Sequence, residues 1–179
     1  MKVISKIPSY LVPMAVLLCN LAIVYVVYFL ARIVYLLVNY SYFEQSLSLA
    51  NLTEIFQGGL VFDTSAILVT NIPYTVMMLF PLHQKEIPIY QQVCKGVFLV
   101  INGLALAINL CDAVYFRFTM RRTTTTVFSE FSNENNLGGI FLTETIRHWY
   151  LVLLFVLVVR LMFRLYCTTG LDSRKLTWW

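Results

Sequence analysis

The sequence predicts an all-α polytopic membrane domain, a helix bundle with about four transmembrane helices and a short interfacial helix. Three observations carry that prediction. The mean hydropathy is +0.75. Only 12% of the 179 residues are charged, where an ordinary soluble domain carries about 25%. The apolar residues also fall into four long blocks, which with their connections use nearly the whole chain and leave no room for a separate catalytic domain. The 13 Lys and Arg and 9 Asp and Glu are scattered rather than clustered, so membrane lipids are the expected partners and nucleic acid is not. Cys19, Cys94, Cys111 and Cys167 sit in or beside apolar runs without metal or redox spacing, and are expected to be inert thiols.

The first block, about residues 10–38, follows the short basic segment Lys2 to Lys6. A signal-peptide core spans only about 7–15 apolar residues before a small-residue cleavage site, so this longer block is expected to remain as an anchor. Arg32 lies in its final third, where its stem can carry the guanidinium to a headgroup. The second block, about 60–82, contains Asp63, Asn71 and Pro73. Proline removes a backbone donor, which a membrane helix tolerates when neighbours satisfy the freed carbonyl. The third, about 92–116, contains Asn102, Asn109 and Asp112, and the fourth, about 149–166, ends with Arg160 and Arg164. Small and amide residues within spans two and three suit packing between helices.

Lys and Arg near the span ends set the orientation. With the N-terminus inside, eight of these residues fall on the inner side and five on or near the outer one. The expected topology is therefore multi-pass with a cytoplasmic N-terminus, and the outer group of Arg117, Arg121, Arg122 and Arg147 is an anomaly that marks a candidate site. In the first outer loop, Ser41 and Glu44 fit a capping box, Leu49, Leu52, Ile55 and Phe56 recur at helical spacing, and Gly58-Gly59 supplies a stop. The pattern predicts an interfacial helix over about residues 42–57.

In the second outer loop, Arg117, Arg121 and Arg122 stand beside Thr123 and Thr124. A planar guanidinium fork next to hydroxyl donors can hold a phosphate, so these residues are candidates for a polar rim that meets an anionic lipid headgroup. The plainer alternative is that the arginines anchor span ends to lipid or pair with acids. Asp63 and Asp112 join the list because an ionisable group within a span is costly and points into the bundle. The favoured reading of both is an ion pair or hydrogen bond with Arg32, Arg117, Arg121 or Arg122. No catalytic or metal-binding constellation is legible, and a run of threonines without a neighbouring base is not a nucleophile motif.

Phe62-Asp63-Thr64-Ser65-Ala66-Ile67, Asp112-Ala113-Val114-Tyr115-Phe116 and Arg121-Arg122-Thr123-Thr124 followed by 127–134 resemble the N-terminal membrane domain of lipoteichoic acid synthase-like proteins. These form the sulfatase and phosphoglycerol transferase group of the alkaline phosphatase superfamily, and the wording is most similar to its Bacteroides-type members. The resemblance implies five membrane helices in the bacterial cytoplasmic (inner) membrane. It also implies an extracytoplasmic catalytic domain in which a divalent metal and a Thr nucleophile transfer a phospho-substituent. Four spans are visible before Trp179, so the chain is expected to be an N-terminal portion that serves a catalytic domain in cis. It would carry no cofactor, metal ligand or nucleophile of its own. A small transporter- or channel-like bundle lined by Asp63, Asn71, Asn109 and Asp112 is the rival reading, and a structural partner subunit is a third.

Overall fold

The computed structural model describes residues 11–44, 48–79, 87–121 and 137–168. The described residues form helices and no strand: α1 (Val12–Val38), α2 (Tyr40–Phe43), α3 (Leu49–Thr70), α4 (Ile72–Leu79), α5 (Pro88–Thr119), α6 (Leu137–Arg147) and α7 (Trp149–Leu165). The all-α bundle is as the sequence predicts. Three helices, α1, α3 and α5, are long and apolar enough to cross a membrane, so the chain is a membrane protein. The fourth expected span corresponds to α7, whose 17 residues rise about 26 Å, a little under the hydrocarbon thickness of about 30 Å.

Helices α1 and α5 form the centre, with α7 packed on α5 and with α3 and α4 beside them. The core follows the helical repeat. Val12, Val16, Asn20, Val24, Val27 and Ala31 of α1 are buried at three- and four-residue steps, and Cys94, Phe98, Asn102, Leu106, Leu110 and Ala113 of α5 do the same. The polar members of these stripes tie the helices together. At one end, here the lower, Asn20 donates from Nδ2 to the Tyr74 hydroxyl (2.7 Å) and to the Cys167 carbonyl (3.2 Å), while the Cys167 amide donates to Asn20 Oδ1 (2.8 Å). The Tyr74 and Tyr166 hydroxyls are 3.3 Å apart. In mid-bundle Asn71 and Asn102 exchange reciprocal amide bonds of 3.0 and 2.8 Å. At the upper end Asn39 Nδ2 donates to the Ala113 carbonyl (2.9 Å).

Three expectations are corrected. The described residues of the expected 42–57 helix are divided between two helices: Ser41 lies within the four-residue α2, which has no side-chain cap, and the N-cap that starts α3 is Ser48, whose Oγ accepts from the Asn51 amide (3.2 Å). Gly58 and Gly59 do not stop a helix but lie inside α3, so the second apolar segment begins at Leu49 rather than near residue 60. It is also divided at Asn71, because Pro73 cannot donate to the carbonyl four residues back and the helical ladder is interrupted there. Finally, Cys19 and Cys167 are not independent thiols. They are joined as a disulfide with Cα atoms 6.6 Å apart, an approach that follows from the hold of the adjacent Asn20 on the Cys167 backbone. Spacing along the chain could not reveal a pair separated by 148 residues.

Candidate functional site

Tyr28, Arg32, Tyr35 and Leu36 recur at helical spacing on one face of α1, and Ile55, Gly59 and Asp63 recur every four residues on one face of α3. These two stripes face each other. Gly59 lets them approach, since a Cβ there would overlap Cζ, Nη1 and Nε of Arg32. The guanidinium thus lies against the α3 backbone, and its Nη2 donates to Asp63 Oδ1 at 2.7 Å, with both side chains 15% exposed. Arg32 therefore turns into the bundle rather than out to the interface. Asn109 of α5 closes a third side, and Phe43 of α2 and Ile55 supply apolar walls to a cleft of about 210 Å³.

The other predicted site residues divide between neighbouring positions and undescribed ones. Arg117, in the last turn of α5, donates from Nη2 to the Val38 carbonyl (3.2 Å), one of the carbonyls left without an intrahelical partner where α1 ends. Its Nη1 lies 3.5 Å from Nε2 of the buried His148, whose Nδ1 is 3.1 Å from the Glu144 carbonyl oxygen. Arg117 thereby joins the upper ends of α1 and α5 to His148, at the junction of α6 and α7. Asp112 is buried in α5. Arg121 follows Met120, whose φ of 56° ends α5 in the left-handed conformation, and is exposed beyond that helix. Arg122, Thr123 and Thr124 lie outside the described residues.

Asp63 and Asn109 of the proposed polar path meet at the cleft, whereas Asn71 is closed onto Asn102. The sequence reading missed Gly59, His148 and Asn39 as parts of this upper region. A signal was available for the first, because Gly59 and Asp63 stand one helical turn apart. Nothing in the sequence pairs Asn39 with the Ala113 carbonyl. No family model matches the chain, and no curated protein or solved structure matches it either.

Proposed function

We propose that this chain is the membrane domain of a sulfatase-like phosphoglycerol transferase, a helical anchor that presents a lipid headgroup to a catalytic domain and is not catalytic in isolation. The observation that carries the anchoring role is how the buried polar groups are used. Asn20, Tyr74 and Tyr166 close on one another, as do Asn71 and Asn102, and such bonds fix helix positions in lipid, where burial of apolar surface cannot. In this reading the N-terminus is cytoplasmic, as the distribution of Lys and Arg favours, the membrane is a bacterial inner membrane, and Arg121 with Arg122 forms the outer polar rim.

The first test is the mass of the native product in its source membrane, probed with an antibody to residues 129–137. A band several times larger than 20.7 kDa is expected, and a band at that mass overturns the role in cis. In the larger protein, Arg121→Ala with Arg122→Ala should lower turnover on a lipid substrate without lowering membrane insertion. Unchanged turnover rejects the rim.

A further inference from the structure

The cleft between α1 and α3 holds an ion pair with both of its ends still open. Among the described residues Arg32 spends one N–H on Asp63 Oδ1, its other guanidinium donors find no protein acceptor, and Asp63 Oδ2 has no hydrogen-bond donor. Asn109 spends one amide hydrogen on the Ala105 carbonyl (2.9 Å) and leaves its oxygen open. A group that satisfied only Arg32 would leave the carboxylate poorly compensated, and a cation alone would do the same to the guanidinium. The cleft is neutral as a pair and has one open donor end and one open acceptor end. At about 210 Å³ it falls below the roughly 300–1,000 Å³ of sites that enclose a whole ligand, and so suits a headgroup whose tails remain outside.

We propose that this cleft binds the headgroup of a zwitterionic phospholipid, with the phosphate on the open donors of Arg32 and the ammonium on the open oxygen of Asp63. Guanidinium offers phosphate a planar fork, and an ammonium N–H can donate to the second carboxylate oxygen without breaking the Arg32–Asp63 bond. Phe43 and Ile55, on the apolar walls, receive the first methylenes of the acyl chains. A side chain in place of Gly59 would displace the guanidinium from this position. The inference rests on the reading that the domain handles lipid headgroups, and adds to the Arg121–Arg122 rim a second, separate headgroup contact in the α1–α3 cleft.

The test is native mass spectrometry of the full chain released from detergent with phosphatidylethanolamine, phosphatidylglycerol or diacylglycerol added. One phosphatidylethanolamine should be retained in preference to phosphatidylglycerol, and diacylglycerol should not be retained. Arg32→Lys, which keeps the charge but loses the fork, should lower retention about tenfold. Asp63→Asn should reverse the preference toward phosphatidylglycerol. Asn109→Leu, which fills the cleft without touching the ion pair, should lower retention of both phospholipids and guards against misfolding of the charged variants. Equal retention of all three lipids, or retention unchanged in Arg32→Lys and Asn109→Leu, overturns the cleft. Retention lost in Arg121→Ala with Arg122→Ala but kept in Arg32→Lys also overturns it while leaving the rim intact, and no phospholipid retained by the unaltered chain overturns both.

Discussion

Helices α3 and α5 are both long and apolar, yet they are held in different ways. In α5, 39% of the most apolar stretch is buried, and it contacts α1, α4 and α7; in α3 only 11% is buried. Much of α3 faces outward, with Phe62 77% and Val61 71% exposed. In water such a helix would be unstable. In a membrane the exposed face rests in lipid at no cost, so its position depends on a few specific contacts instead. For α3 these include the Arg32–Asp63 pair over Gly59, the tilted Phe29–Phe56 ring contact, with centroids 5.3 Å apart, and the insertion of Ile67 into the core. The centre of the bundle has many attachments and the α3 arm has few.

The contrast is broken most strongly at the ion pair. Arg32→Leu or Asp63→Leu leaves a partly buried charge without its partner, and should destabilise the protein by about 3 kcal/mol, read from reversible unfolding in bicelles. The loss should appear as release of α3, seen by raised hydrogen exchange over Leu49–Thr70, while α5 stays protected. Next in size is Gly59→Leu, which puts a side chain where the guanidinium lies and should cost about 1–3 kcal/mol by overpacking, checked by the same unfolding measurement.

Changes in the centre should be smaller for each bond removed. Asn102→Leu strands one side of the amide pair with Asn71 and should cost about 1 kcal/mol, whereas Asn71→Leu with Asn102→Leu together should cost less than either alone, because no buried amide is then left unpaired. The smallest effect belongs to Lys95, whose Nζ lies 3.5 Å from the centroid of the Phe163 ring. Lys95→Met should lower stability by about 0.5–1 kcal/mol, measurable as a shift in the unfolding midpoint.

How far the sequence could be read follows the same division. The apolar blocks at about 10–38, 92–116 and 149–166 correspond closely to α1, α5 and α7, since unbroken hydropathy and helical period are local signals. The helix that carries the second block starts earlier than the block, at Leu49, because Gly58-Gly59 has two physical meanings, a terminator at an exposed helix end and a site of close approach where another side chain packs. Only the position of Arg32 decides between them. Asp63 was legible as a buried acid in search of a cation, and Arg32 was among the partners its depth allowed. The reciprocal bonds of Asn71 with Asn102 and the junction of Cys19 with Cys167 depend on the register between helices, which neither composition nor spacing encodes.

The central claim is that one ion pair over a glycine notch docks α3 to the bundle, and a double-mutant cycle on Arg32 and Asp63 tests it most directly. Unfolding free energies would be measured in bicelles for the unaltered chain, Arg32→Leu, Asp63→Leu and the double variant. The account predicts strong coupling, with the double variant no less stable than either single one and an interaction energy of about 2–3 kcal/mol. Effects that add to within about 0.5 kcal/mol would contradict it and show that α3 is held by something other than this pair.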